Sequence, residues 1–204
     1  MRLIKLYTAC ICLSLGMSSC ADFLEEENRS NINAQEYFVE KDGFESLVNA
    51  AYASLRTVWK NEPWLFCLGV DIYTRGESEL ISGSYGNRDV YSRELNEYGS
   101  LKADNEFVGN FYSNVYYAIQ TCNTAISKSE SVVGLSENVR KQRVAELRFL
   151  RAYYYYLLVE QFGRIAIVTD EIETPMLSFP QKSEQEVYKF ILDELALLST
   201  KDHK

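Results

Sequence analysis

Four stretches of the chain place apolar residues at intervals of three and four, the spacing that gives an α-helix one apolar face. They cover about residues 42–59, 104–130, 136–163 and 183–198. The second is the longest, because its apolar stripe from Phe107 to Ile126 runs for more than five helical turns. A short additional helix is expected from Asn33. Helices of this kind bury their apolar faces by packing together, so the pattern predicts an all-α protein.

Residues typical of helix termini flank these stretches. Ser183 and Glu186 have the three-residue spacing of a capping box. Asp42 and Glu45 have the same spacing at the start of the first stretch. Gly163 is a natural terminator for the third stretch. The connection between the second and third stretches is short, which makes them antiparallel neighbours. We therefore expect a fold of stacked helical hairpins.

One segment, residues 63–103, interrupts this pattern and contains half of the ten glycines. An irregular insertion of about 40 residues between helices is long for a compact domain and is usually functional. It combines aromatic rings with planar polar side chains, as binding a sugar ring requires. The candidate ligand-binding residues are Trp64, Tyr73, Tyr85, Asn87, Arg88 and Tyr91. For any one of them the alternative is half-buried packing, with Trp64 anchoring the insertion to the helices.

The charge balance and the single histidine exclude several classes of protein. The chain carries 29 acidic and 21 basic residues, a net charge of −8, whereas nucleic-acid-binding proteins need a basic face. His203 is the only histidine and lies next to the last residue, which excludes Ser–His–Asp and Cys–His catalysis and most zinc sites. We therefore predict no catalytic residue, no metal and no cofactor. A glycosidase pair among Asp71, Glu77 and Glu79 is a weak alternative, because carboxylates are abundant throughout the chain.

The N-terminus resembles the signal sequence of a bacterial lipoprotein. Two basic residues precede the apolar run Leu6–Met17, and two serines stand directly before Cys20. The run is shorter than the ~20 residues that a membrane-spanning helix needs. We predict that residues 1–19 are a lipoprotein signal peptide, that Cys20 is lipidated, and that residues 20–32 form an acidic tether. The alternative is an ordinary signal peptide with an incidental cysteine.

Two cysteines lie beyond this region, Cys67 and Cys122. They permit one disulfide in an oxidising compartment. Each stands among apolar residues, where a free cysteine packs as a small hydrophobic side chain, and we favour that interpretation for both.

The third helical stretch contains four consecutive tyrosines, 153–156. Consecutive helical residues point about 100° apart, so these rings cannot form one ligand platform. They predict a helix that is contacted on most sides and packs its tyrosines in the core. Arg148 in the same stretch is expected to form a structural ion pair with Glu146 or Glu160.

The run Ala145–Glu171 resembles the signature helix and following strand of SusD/RagB-like proteins. Gly43–Arg56 and Asn110–Glu130 are similar to the first two long helices of that family. Ser183–Leu198 is similar to the helix that follows the signature, and Cys20–Glu27 resembles the start of the mature protein. The resemblance covers nearly the whole chain in the expected order.

Two features differ from the usual family pattern. Arg164 and Ala166 stand where the family usually has Asp and Pro. Family members also run to several hundred residues, so the resemblance implies that this chain corresponds to their N-terminal portion. Residues 33–204 would then form the SusD-like N-terminal helical domain, with the irregular insertion inside it.

The resemblance implies a specific architecture and role. The helices would form tetratricopeptide-like hairpins, an α-α superhelix that supports a ligand site. The protein would be lipid-anchored and exposed on the outer membrane, and would bind glycans such as starch, or peptides, without catalysis. It would deliver them to a SusC-type TonB-dependent transporter, over which it lies as a lid. The alternatives are a helical-repeat adaptor that binds other proteins, and a truncated fragment without function.

Overall fold

The computed structural model describes residues 34–59, 64–74, 88–172, 174–175 and 178–199. The helices in these ranges are α1 (Ala34–Tyr37), α2 (Lys41–Trp59), α3 (Trp64–Cys67), α4 (Arg88–Glu97), α5 (Glu106–Ser129), α6 (Glu137–Phe162) and α7 (Glu184–Ser199). Two short strands, β1 (Ile165–Ala166) and β2 (Gln181–Lys182), pair antiparallel. The predicted all-α class and the four long helices are therefore confirmed. All packing described below lies within the unit Tyr37–Lys204.

Each long helix packs mainly against the next long helix along the chain, α2 on α5, α5 on α6 and α6 on α7. The core lies along α5, whose apolar stripe contacts both α2 and α6. Fully buried side chains from all four helices include Phe44, Val115, Ile119, Leu147, Leu158 and Val187. Ala118 and Ala125 are also fully buried, and their small side chains allow the helix axes to approach closely. This is the expected stack of helical hairpins.

The helix termini follow the predicted signals at two of three places. Ser183 N–H donates to Glu186 Oε2 at 2.8 Å, and Glu186 N–H donates back to Ser183 Oγ at 3.3 Å, so this capping box is confirmed. Gly163 ends α6 as predicted, with φ at +64°, which glycine adopts freely, and with ψ at −106°, outside the left-handed helical conformation. The capping box predicted at Asp42 is wrong. The first helical bond runs from Phe44 N–H to Glu40 C=O, so α2 begins before Asp42.

The prediction of an irregular segment at 63–103 needs correction, because the described part of it contains α3 and α4. The inward face of α4 carries Ser92 and Glu94, which are 7% and 5% exposed, beside the buried Leu95. Since two of these three inward residues are polar, the apolar periodicity that marks a helix is weak here.

The tyrosine run and the cysteines pack largely as expected. Tyr154 and Tyr155 are fully buried, and the Tyr154 hydroxyl donates to the Ala51 carbonyl at 2.8 Å. Cys67 and Cys122 are free thiols. Cys122 is fully buried in the core, and burial raises the pKa of its thiol to about 12. Within the described ranges, no helix is both long and apolar enough to cross a membrane.

Candidate functional site

The candidate ligand-binding residues belong to the part of the chain around α3 and α4, which packs on the N-terminal end of α5. We call residues 64–74 and 88–105 the aromatic end. Phe66 of α3 contacts Trp59 of α2 with ring centroids 4.9 Å apart, and Phe111 of α5 at 5.3 Å in an edge-to-face arrangement. These aromatic contacts fasten α3 to two long helices.

Asn105 fastens α4 to the start of α5. Its side-chain Oδ1 accepts from the backbone N–H of Phe107 and Val108 at 3.1 and 3.4 Å, which caps α5. Its Nδ2 donates to the Tyr91 carbonyl and to Glu94 Oε2, both at 3.0 Å. Asn105 is 1% exposed, so these bonds are buried and hold α4 in one position. The sequence predicted that this helix starts near Asp104, one residue before Asn105. The signal that could have identified Asn105 is an Asn directly before a long apolar stripe.

Tyr98 follows α4 and has an unusual backbone conformation. Its φ is +50°, the one positive value at a non-glycine residue among those described. Its hydroxyl donates to the Leu68 carbonyl at 3.3 Å. Its ring lies against Gly69, where a Cβ atom would overlap Cε2 and Cζ of the ring. Gly69 itself has a φ of +75°, which glycine adopts freely. Tyr98 is 57% exposed.

Two of the predicted site residues can be placed in detail. Tyr73 is 60% exposed, and its backbone N–H donates to the Val70 carbonyl at 3.3 Å. Next to it, Thr74 Oγ1 donates to Asn96 Oδ1 at 3.2 Å, which links this turn to α4. Tyr91 is half-buried and meets Phe107 edge-to-face at 6.0 Å. That is the geometry of packing, whereas Tyr73 presents its ring to solvent.

The remaining predicted residues are placed less fully. Trp64 and Arg88 are the first residues of α3 and α4, and only their backbone is described. Tyr85, Asn87 and the predicted lipidation residue Cys20 lie outside the described residues. Their roles stay predictions. Among the described residues, no group of three or more His, Cys, Asp or Glu side chains is arranged to hold a metal ion.

A second polar cluster lies between α5, α6 and α7 and is centred on Arg151, which is 5% exposed. Arg151 Nε and Nη2 donate to Glu194 Oε2 at 2.9 and 2.6 Å. Its Nη1 donates to Asn123 Oδ1 at 2.9 Å and to the Thr169 carbonyl at 3.2 Å. Because these donors are already occupied by the protein, the cluster is structural. The sequence places Arg151 on the same helix as Arg148 but indicates no partner for it.

Arg148 also differs from the prediction. Its Nη1 lies 3.7 Å from Glu194 Oε1, so its partner is on α7. Glu146 pairs instead with Arg143 at 3.1 Å, and Glu160 accepts the hydroxyl of Tyr188. The predicted pairing within α6 is therefore wrong. Sequence spacing could suggest partners for Arg148 only on its own helix. The fold instead brings a carboxylate from another helix close to Arg148.

The arginine cluster holds the extended residues 165–171, which we call the pinned segment. Tyr116 donates to the Ala166 carbonyl at 2.9 Å, and Asn123 donates to the Val168 carbonyl at 2.9 Å. The Tyr155 hydroxyl donates to the Val168 carbonyl at 2.8 Å and accepts from its N–H at 2.7 Å. Side chains of α5 and α6 thus supply the hydrogen bonds that a neighbouring strand usually provides.

A cavity of about 170 Å³ opens beside the pinned segment, lined by residues 166–172 and 178–180. The β1–β2 register places Ala166 opposite Gln181, so the next pair along would be Ile167 and Pro180. Proline has no N–H to continue the ladder, and the two chain segments separate at this point. The cavity is therefore a consequence of strand separation.

A SusD-like family model, described as "Starch-binding associating with outer membrane", matches residues 22–199. SusD-like protein P2 of Formosa agariphila is 32% identical over 192 residues, which are 91% of this chain and 35% of that protein. SusD-like protein P25 of the same organism is 26% identical over 158 residues, 76% of this chain and 29% of that protein.

Solved structures show the same fold. A SusD homolog from Bacteroides thetaiotaomicron superposes with a TM-score of 0.66 at 21% identity, over 86% of this chain and 32% of that one. Surface glycan-binding protein A from Bacteroides uniformis superposes with a TM-score of 0.63 at 20% identity, over 77% of this chain and 34% of that one. The chain thus spans about a third of the length of these relatives. The match over residues 22–199, with the helical-hairpin fold, shows that the chain belongs to the SusD-like family.

Proposed function

We propose that this protein captures glycans at the cell surface and passes them to a transporter of the outer membrane, without breaking a bond. The observation that carries the proposal is the aromatic end of a SusD-like helical fold, where Tyr73 and Tyr98 expose most of their surface while the backbone beneath them is fixed. A flat aromatic ring that is held in place and open to solvent is suited to the C–H face of a sugar.

The charge of the protein is compatible with this ligand class. The chain has a net charge of −8, which disfavours polyanionic ligands and places no restriction on neutral glycans. Polar side chains also lie near this turn, where Thr74 Oγ1 donates to Asn96 Oδ1. The predicted residues Tyr85, Asn87 and Arg88 would add one ring and two donors to this site.

Anchoring at the membrane completes the proposal. In it, residues 1–19 are removed, Cys20 carries acyl chains such as palmitate, and residues 20–32 act as a tether. Several acyl chains give stable attachment, where a single chain is marginal. The partner is a SusC-type TonB-dependent transporter, which receives the captured glycan.

The binding half of the proposal is tested by affinity electrophoresis of the purified full chain. Gels contain soluble starch, xylan, mannan or mixed-linkage β-glucan, and retardation relative to an unrelated acidic protein reports binding. We expect retardation in at least one neutral glycan. No retardation in any of them would overturn the glycan proposal.

The anchoring half is tested separately by labelling cells with an alkyne fatty acid. Wild type and Cys20→Ala are compared, and intact cells are treated with an external protease. We expect label on wild type alone and loss of the wild-type protein on protease treatment. Equal labelling of both proteins, or of neither, would contradict the lipid anchor at Cys20.

A second candidate function is protein binding by an adaptor, and one observation favours it. Phe149 on α6 and Leu192 on α7 are 53% and 66% exposed, and Tyr156 on α6 is 44% exposed. Exposed apolar side chains of this size are common at protein interfaces. If wild type retains a transporter and a Phe149→Ser and Leu192→Ser double variant does not, the result would be consistent with both functions. Retention without any glycan binding would favour the adaptor.

A further inference from the structure

Three helices that pack side by side, α2, α6 and α7, leave large apolar side chains exposed. We call six of these residues, which are between 38% and 66% exposed, the outer face: Tyr52, Trp59, Phe149, Tyr156, Tyr188 and Leu192. The three helices are joined across it, because Trp59 Nε1 donates to the Tyr153 hydroxyl at 3.2 Å and Tyr188 donates to Glu160. A set of this size on adjacent helices is more than the single exposed apolar residues that are normal on a protein surface, and it indicates an interaction surface.

The spacing of the outer face is suited to a helix. Phe149 and Tyr156 are seven residues apart on α6, and Tyr52 and Trp59 are seven residues apart on α2, so each pair forms a ridge along its helix. On α6 this ridge lies on the side opposite the buried Leu147, which packs in the core. Ridges of this kind pack into the grooves of a neighbouring helix.

The helices α2 and α6 run parallel. Arg143 Nε lies 3.1 Å from Glu45 Oε1 near their starts, and Tyr153 meets Trp59 further along both helices. The stretch from Glu45 to Trp59 is about 20 Å long, or four helical turns. On the core side of α2 and α6, α5 packs on both helices. A second helix on the outer face would repeat that arrangement on their exposed side.

The charged groups around the outer face favour a basic partner. Those that interact with Tyr52 and Tyr188 are three carboxylates and one guanidinium, belonging to Glu146, Glu160, Glu184 and Arg143. The excess of negative charge has the same sign as the net charge of the chain, −8. Basic residues at the edges of an apolar helix face would complement it.

We propose that the outer face is a docking surface for an amphipathic helix of a partner protein, about four turns long, whose apolar face is flanked by lysine or arginine. The inference goes beyond glycan capture and does not depend on it. It specifies the kind of partner that the second candidate function would take.

The probe for the test is a fluorescently labelled peptide of leucine and lysine, about 16 residues long, arranged as an amphipathic helix. Fluorescence anisotropy measures its binding to the purified full chain. A peptide of the same composition in scrambled order controls for the general attraction between a cationic peptide and an acidic protein.

The variants separate the outer face from other exposed apolar residues. The Phe149→Ser and Leu192→Ser double variant removes two apolar side chains from it. A Tyr117→Ser and Val133→Ser double variant is the matched control, because these residues are 71% and 75% exposed outside the outer face. Glu160→Gln removes one negative charge and retains an acceptor for its tyrosine partner. Thermal melts confirm that each variant is folded.

We expect the ordered peptide to bind wild type, about tenfold more weakly to the outer-face double variant and about twofold more weakly to Glu160→Gln. The control double variant should bind it as wild type does. Equal binding of the ordered and scrambled peptides, or no effect of the outer-face double variant, would overturn the inference. Sedimentation that finds wild type dimeric and the outer-face double variant monomeric would assign the surface to a second copy and also overturn it. Each of these results leaves glycan capture standing.

Discussion

Two regions of this protein leave the helical bundle and are fastened back to it in different ways. The pinned segment is held by side chains that reach out from α5 and α6, among them Asn123, Tyr155 and the buried Arg151. The aromatic end is held mainly through one buried amide, Asn105, and through aromatic edges. In the first arrangement, polar side chains make the hydrogen bonds that the backbone of the pinned segment needs. The second leaves the rings of Tyr73 and Tyr98 exposed on a fixed backbone.

The largest expected effect comes from breaking the arginine cluster. Arg151→Met leaves the Glu194 carboxylate buried without its main partner, and we expect a loss of about 3–5 kcal/mol in the free energy of unfolding. Arg143→Met is the matched control, because Arg143 also joins α6 to another helix but its side chain is 31% exposed. The control should lose less than about 1 kcal/mol. Urea denaturation of both variants measures the difference, and equal losses would contradict a structural role for the cluster.

The next effect is a sensitivity of the pinned segment to alkaline pH. Burial raises the pKa of Tyr155 to about 12 from an ordinary 10.0, so the folded state favours the neutral hydroxyl. This contribution, about 2–3 kcal/mol, is fully present below pH 10 and is lost as the pH rises from 10 to 12. Denaturation at several pH values, with tyrosinate absorbance, measures it.

Tyr155→Phe provides the comparison for this pH dependence. It removes the titrating hydroxyl and leaves the Val168 N–H without its partner, at a cost of about 1–3 kcal/mol near neutral pH. Its stability should then fall less steeply than that of wild type above pH 10. An identical slope in the two proteins would show that another group is responsible.

A smaller effect is expected at the aromatic end. Asn105→Ala removes the cap of α5 and the partner of Glu94, and we expect a loss of about 2 kcal/mol. Hydrogen exchange should accelerate in α4 and leave α7 unchanged. Asn110→Ala, whose exposed side chain makes a single 3.4 Å bond to Glu106, should change stability by only a few tenths of a kcal/mol. Acceleration spread evenly over all helices would contradict separate fastening of the two regions.

The smallest effect separates the cost of a contact with the Tyr98 ring from the cost of a positive φ. Gly69→Ala and Gly134→Ala both place a side chain at positive φ, +75° and +78°, at a cost of roughly 1–2 kcal/mol. Only at Gly69 does the new Cβ meet a ring, since nothing lies within 4 Å of it at Gly134. Gly69→Ala should therefore be the less stable by about 1 kcal/mol, measured by thermal melts. Equal stabilities would mean that the ring moves aside freely.

The sequence predicts local features of this protein better than contacts between distant parts of the chain. The long helices, Gly163 and the Ser183 capping box follow from local spacing, because the physical cause of each lies within a few residues of chain. The pairing of Arg151 with Glu194 joins residues 43 positions apart, and no local pattern indicates it. Helix α4 was missed because two of its three inward residues, Ser92 and Glu94, are polar.

The types of residue in the candidate site could be predicted from the sequence, but their exposure and backbone conformation could not. The aromatic and glycine-rich composition of residues 63–103 drew attention to this segment, yet the sequence could not distinguish the half-buried Tyr91 from the exposed Tyr73. Tyr98 was not selected, because the property that sets it apart is a backbone angle. The glycine at position 69 was visible in the sequence, but its contact with a ring 29 residues later was not.

The contrast between the two thiols in the described part of the chain has a practical consequence for spectroscopy. Cys122 is fully buried, and its pKa of about 12 keeps it in the unreactive protonated form at neutral pH. Cys67 is half-buried and ends α3, one residue before the carbonyl that tethers Tyr98. A maleimide dye should therefore label Cys67 and spare Cys122. If glycans bind at the aromatic end as proposed, the fluorophore would report on their arrival.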